Sequence, residues 1–132
     1  MPGFDLDMHP IHLGLGANAC TEPRFTGGMD WYQRYVERHA ADGAEGRLVS
    51  LHTFHAPWDM WEMHPSGAEV VLCISGSITL HQQLSDGTVN TVILRSGQYA
   101  INEAGVWHTA DVDAQATAVF VTAGLGTQHR PR

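Results

Sequence analysis

Trp61-Glu62-Met63-His64-Pro65-Ser66-Gly67-Ala68-Glu69, running on into Val70-Val71-Leu72-Cys73-Ile74-Ser75-Gly76, is the stretch on which the reading turns. It sets three side chains able to ligate a metal, Glu62, His64 and Glu69, ahead of an apolar segment of β character. Glu62 and His64 are two residues apart, so on a strand they leave the same face. Pro65-Ser66-Gly67 reads as a turn that doubles the chain back and brings Glu69 to the same place from a neighbouring strand. A fourth candidate, His108, closes a later stretch, Gly97-Gln98-Tyr99-Ala100-Ile101-Asn102-Glu103-Ala104-Gly105-Val106-Trp107-His108.

Around these stretches the hydrophobic period is two from Arg47 onward. It predicts strands over 47–55, 59–64, 69–75, 77–84, 88–94, 98–101, 107–112 and 116–123, with Asp86-Gly87 as the clearest hairpin. Short, closely spaced strands with no helical period between them imply an all-β sandwich or barrel. Ahead of them, residues 1–28 are rich in Gly and Pro, and Ile11, Leu13 and Leu15 alternate as in one short strand or an arm. Asp30 is placed to cap a helix over 31–41 whose stripe is Trp31, Tyr35 and His39, with Gly43 to end it. That stripe is read as packing onto the body. Gly14/Gly16 and Gly124-Leu125-Gly126 read as turns. The expected division is an N-terminal arm and short helix over 1–45, a β-barrel over 46–123, and an exposed tail over 124–132 holding His129 and two arginines.

Composition narrows the function. A chain of 132 residues, 43% hydrophobic with a mean hydropathy of −0.17, builds one globular domain. No apolar run approaches the roughly 20 residues of a membrane span. Acidic residues near the N-terminus stand where a secretory leader would be basic, so the expected location is cytoplasmic. A net charge of −7 and a pI near 5.6 argue against nucleic acid and anionic membranes as partners. All seven basic residues are Arg, which removes Schiff-base, pyridoxal-phosphate and P-loop lysine chemistry. It also disfavours a strongly anionic substrate, although Arg47 or Arg95 could serve one. Cys20 and Cys73 form neither a disulfide framework nor a Cys-x-x-Cys motif. Among nine histidines, only His64 and His108 stand in contexts that point to chemistry.

With both stretches in view the chain resembles the cupin superfamily, and within it the small single-domain bacterial cupins. Their first motif is Gly, five residues, His-x-His, three or four residues, Glu, six residues, Gly. The second is Gly, five residues, Pro-x-Gly, two residues, His, three residues, Asn. His64, Glu69, Gly76, Gly97, Gly105 and His108 match at the required spacing. Ala56, Glu62, Glu103 and Val112 stand where the pattern has Gly, His, Pro and Asn. The resemblance covers about 46–123 and implies a double-stranded β-helix, the cupin jelly-roll barrel.

In such a barrel, alternation turns Met60, Glu62 and His64 inward and Asp59, Trp61 and Met63 outward. Glu69 carries Val71 and Cys73 inward with it, and His108 leaves Trp107 outside. Glu62, His64, Glu69 and His108 then converge as two imidazoles and two carboxylates, a set suited to one divalent ion, Fe, Mn, Zn or Ni. His64, Glu69 and His108 alone form a two-His, one-carboxylate arrangement with open positions. Glu62 could be a fourth ligand or an unligated catalytic base with its pKa raised by burial. Trp58 could reach the mouth of the barrel. Trp61 and Trp107, facing away, are as well explained by packing or a subunit contact, and Cys73 by its being a small buried hydrophobe.

The function expected by resemblance is a metal-dependent enzyme acting on a small organic molecule, an oxidoreductase of the dioxygenase kind first. The alternatives are a small-ligand-binding or sensing barrel, with or without metal, and a non-redox isomerase, decarboxylase or lyase. The resemblance also implies a homodimer, to which an arm like 9–16 could add an edge strand.

Overall fold

β-Branched and aromatic residues alternating with polar ones from Arg47 onward do form strands, and every strand pairing is antiparallel. The computed structural model describes residues 1–132 and contains ten strands and one α-helix. The strands are β1 (Ile11–Leu13), β2 (Ala19–Thr21), β3 (Arg47–Phe54), β4 (Met60–Met63), β5 (Glu69–Gln83), β6 (Val89–Arg95), β7 (Tyr99–Asn102), β8 (Trp107–Asp111), β9 (Ala116–Thr122) and β10 (Gln128–Pro131). They make two sheets that share β5. One runs β7-β5-β9-β3-β1-β2 and the other β6-β5-β8-β4-β10. This is the all-β, double-stranded β-helix architecture expected.

β5 joins the sheets because it bends without breaking. A bulge interrupts its ladder to β9 between Cys73 and Ser75, and pairing resumes through Gly76 opposite Ala116. Gly76 has φ +74°, and a Cβ there would lie 2.0 Å from the Gln115 carbonyl oxygen. Only glycine fits. The two strands expected over 69–75 and 77–84 are therefore one strand of 15 residues. The bulge also changes which parity faces inward, so Val71 and Cys73 before it, and Ile78 and Leu80 after it, all enter the core. Leu94, Ala110, Val112, Ala116, Ala118 and Phe120 complete that core. Cys73 is fully buried there, and burial pushes its thiol pKa up, as befits a hydrophobe.

The helix α1 spans Met29–Arg38, starting two residues before the expected position, with Gly28 at its N-cap and Asp30 inside the first turn. There the Asp30 carboxylate faces the positive end of the helix dipole. The helix ends at Arg38, earlier than expected, and a 3₁₀ stretch, Ala40–Glu45, follows with Gly43 at φ +59°. Trp31 and Tyr35 are its buried stripe, stacked on each other and clustered with Leu48 and Phe25. The arm lies on its own body: β1 pairs with β3 of the same chain, so it is not free to extend a neighbour's sheet. The C-terminal segment stays largely exposed but is ordered as β10 on the edge of β4.

Candidate metal centre

β4 turns Glu62 inward at a register position flanked by His108 of β8 on one side and His129 of β10 on the other. His64 follows one residue beyond β4, and Glu69 opens β5. The four side chains expected to meet do meet, with one ligand-capable atom of each lying within 4.8 Å of the others. His64 Nε2 stands 2.9 Å from Glu62 Oε1 and 3.1 Å from Glu69 Oε2. His108 Nε2 stands 3.2 Å from Glu69 Oε1 and 3.6 Å from Glu62 Oε1. His64, Glu69 and His108 are buried, while Glu62 is 27% exposed.

The other ring nitrogens settle the tautomers. Thr127 donates its hydroxyl to the Gly124 carbonyl at 2.8 Å, so it must accept from His64 Nδ1–H, also at 2.8 Å. His108 Nδ1 faces the Val106 carbonyl at 3.2 Å, and a carbonyl only accepts. In the neutral rings both Nε2 atoms therefore carry a lone pair. Both are buried, and neither has a hydrogen-bond partner, because no carboxylate oxygen lies along the direction a ring N–H would take. Two orphaned nitrogens and two carboxylates converging on one point fit a cation between them. Glu69 is fixed in turn by Asn102 Nδ2 at 3.1 Å on one oxygen and Thr122 Oγ1 at 2.7 Å on the other. Gln82 donates to Asn102 Oδ1 at 2.8 Å, extending the support. His129 Nε2 donates to Glu62 Oε2 at 3.0 Å.

Electrostatics of the protein alone favour protons in the cation's place. Burial disfavours imidazolium at His64 and His108, but Glu62 and Glu69 outweigh it and raise both to about 9. Burial would raise the carboxylates, yet the two imidazoles hold Glu69 down to about 2 and Glu62 well below the usual range. This overturns the expectation of a raised pKa for Glu62. Its neighbours are two imidazoles close enough to act on it as cations, His64 Nε2 at 2.9 Å and His108 Nε2 at 3.6 Å, rather than an apolar wall.

Across from these four side chains the interior is aromatic. Trp58 packs edge-on against His108 with ring centroids 6.2 Å apart, and against Phe54 and Phe120. It lies inside rather than out at the mouth, with its indole N–H buried and unpartnered. His52 sits between Phe25 and Phe120, and burial lowers its pKa. Tyr32 on α1, although 37% exposed, is raised to about 12, first by desolvation and then by the Glu62 and Glu69 carboxylates. Trp61 and Trp107 face outward as expected, and both approach the Arg130 guanidinium, at 5.5 and 4.4 Å.

Sequence reasoning missed the supporting groups. Thr127 and His129 lie in what read as a tail, and nothing local marks them. A second cluster, His12, His39 and Asp42, was also passed over. His12 is buried, with Nδ1 2.6 Å from the Tyr35 hydroxyl and Nε2 2.6 Å from Asp42. Its ring stacks on His39 at 3.6 Å, and His39 and Arg38 both bond to Glu22. Both His12 nitrogens are occupied and His39 Nε2 is spent on Glu22, so this cluster latches α1 to the arm.

No protein-family model matches the chain, and no curated protein matches it. Solved structures do. An uncharacterized conserved protein with a double-stranded β-helix domain from Klebsiella pneumoniae subsp. pneumoniae aligns at TM-score 0.53 and 23% identity, over 65% of this chain and 76% of that one. An oxalate oxidase aligns at 0.56 and 16%, over 70% and 50%. A hydroquinone 1,2-dioxygenase in complex with Cd2+ and 4-hydroxybenzonitrile aligns at 0.52 and 13%, over 58% and 56%. The alignments span about half the length of the two enzymes. At these identities the likeness is one of fold.

Proposed function

We propose that this chain, which has the cupin fold, binds one divalent metal ion through His64, Glu69, His108 and Glu62 and acts on a small organic molecule. The observation that carries the reading is the pair of buried, unbonded Nε2 atoms whose opposite nitrogens are committed to Thr127 and Val106. An oxidoreductase of the dioxygenase kind is the leading class. The mixed nitrogen and oxygen donor set suits Fe or Mn, and the hydroquinone dioxygenase and oxalate oxidase share the fold. A metal of that kind would supply a Lewis-acid and redox centre for substrate and O2.

The chain's own residues have definable tasks. His64, Glu69 and His108 are held rigidly by the second layer of hydrogen bonds. Glu62, partly exposed and tied to His129, is the ligand free to move or to pass a proton. Trp58, Phe54 and Phe120 exclude water and favour a ligand with an apolar or aromatic body.

Metal analysis of untagged protein, purified without chelator or added metal, tests this. Near-stoichiometric Fe or Mn is expected, and it should be lost in His64→Ala and in His108→Ala while the β circular dichroism persists. Unchanged metal in either variant would sink the assignment. Stoichiometric Zn or Ni would retain the site and move the chemistry to a non-redox isomerisation, decarboxylation or lyase step.

A further inference from the structure

Three polar side chains beside the candidate metal centre have no partner within the chain. The Trp58 indole N–H is buried without an acceptor. His52 and Tyr32 feel desolvation and the charges of Glu62 and Glu69, with no hydrogen bond acting on either. His52 shares the inward parity of β3 with Ser50 and Phe54. Its ring, Phe54, Trp58 and Phe120 form a circuit with successive centroids 6.2, 5.5, 6.1 and 5.8 Å apart. No ring contact joins His52 to Trp58, so the two flank the Phe54–Phe120 pair on opposite sides. The Trp58 flank meets His108. The His52 flank meets Phe25, which in turn touches Tyr32. β3 and β4 follow one another in the chain but lie in different sheets and do not pair, which leaves the barrel a seam here. His52, Phe54 and Trp58 face inward yet stay only half-buried, as walls of a recess do.

We propose that this recess binds the substrate as an uncharged aromatic ring carrying an oxygen at each end, and that His52 and Tyr32 are the residues that select it. The near oxygen lies between the metal centre and the Trp58 indole, which can only donate. The ring lies on Phe54 and Phe120. The far oxygen lies against His52 and the Tyr32 hydroxyl. Only the near end rests on the metal-centre reading, because the far end is built from residues that make no hydrogen bond to its four side chains.

Charge selection follows from the far end. Burial lowers the pKa of His52 and keeps the ring neutral at pH 7, and the Tyr32 phenol, raised to about 12, is neutral too. The charges acting on both are the Glu62 and Glu69 carboxylates, and no arginine offsets them. A ligand ending in a carboxylate would be desolvated there with no cation to receive it. A carbonyl or hydroxyl finds two neutral hydrogen-bonding groups instead. Phe25 belongs to the arm and Tyr32 to α1, so the N-terminal segment closes the far end of the site as well as packing on the body.

Isothermal titration of the full chain with three probes of one shape is the test. 4-Hydroxyacetophenone ends in a neutral acceptor, 4-hydroxybenzoate in an anion, and 4-isopropylphenol in no acceptor at all. The first is expected to bind about tenfold or more tighter than either of the others. His52→Phe and Tyr32→Phe should each cut its advantage over 4-isopropylphenol about fivefold. Trp58→Phe should weaken all three probes together and leave their ratios unchanged. Such ratios are read within one protein, so partial misfolding cannot imitate them. They should also survive chelator treatment, since the far end does not touch the metal. A chain that holds no metal but keeps the ratios would sink the metal centre and uphold this site. Equal affinities for the three probes, a preference for 4-hydroxybenzoate, or ratios indifferent to both His52→Phe and Tyr32→Phe overturn the proposal. So does the absence of saturable binding at millimolar probe.

Discussion

A histidine ligates through one nitrogen only if the other is committed, and here the commitment of His64 rests on one hydroxyl. Thr127 accepts from His64 Nδ1 because its own proton is already given to Gly124. Thr127→Val keeps the shape, removes the acceptor and frees the ring to take the other tautomer. Metal affinity, measured by competition with a chelator of known strength, is expected to fall about 10–100-fold with the fold intact. Thr127→Ser should recover most of it, and a full-affinity valine variant would show that the hydroxyl is incidental. Sequence revealed the four converging side chains and hid this support for a physical reason. Glu62, His64 and Glu69 sit close enough together for strand alternation and one turn to set their meeting. Thr127 and His129 are 63 and 67 residues from the ligands they touch, and only tertiary pairing brings them there. The pKa direction at Glu62 was hidden likewise, since it depends on which charges surround the carboxylate and not on burial alone.

At the scale of elements, β5 decides the architecture. Gly76 read as a break between two strands because glycine and serine interrupt the apolar run. In the structure the ladder continues through it, and the left-handed residue only redirects the chain. Sequence marks where a strand deviates. It cannot say whether the deviation ends the strand or bends it, since that depends on whether β9 continues alongside. Gly76→Ala should therefore be costly, combining a positive φ with a Cβ 2.0 Å from the Gln115 oxygen. Urea denaturation should show a loss of about 3 kcal/mol or more. Gly87, at φ +87° in the β5–β6 loop, has open space around it. Gly87→Ala should cost only about 1 kcal/mol, the backbone preference alone. Equal losses at the two positions would mean that the close contact contributes nothing.

For the molecule as a whole, the candidate ligand set ties the two sheets together. Glu69 enters from the first half of β5, while Glu62 and His108 come from strands of the other sheet. The stability of the fold and the charge state of the centre are consequently linked. In the metal-free chain the imidazoles, raised to about 9 from 6.5, stabilise the fold fully below about pH 6.5, and that contribution is lost as the pH rises through 9. The carboxylates, depressed from 4.5, contribute above about pH 4.5 and lose their effect as the pH falls toward 2. The metal-free melting temperature should thus be highest near pH 4.5–6.5 as far as this site governs it, and should decline toward pH 9. At pH 7 two imidazolium protons are present, so binding a divalent ion should expel about two protons, and apparent affinity should rise with pH until about 9. Isothermal titration in buffers of different ionisation enthalpy counts those protons. Saturating metal should remove the alkaline decline and, at a hundredfold excess over Kd, add about 2.7 kcal/mol, or roughly 10 °C in a domain of this size. Binding without proton release at pH 7, or melting temperatures that fall in parallel above pH 7 with and without metal, would show that the imidazoles are neutral before the ion arrives.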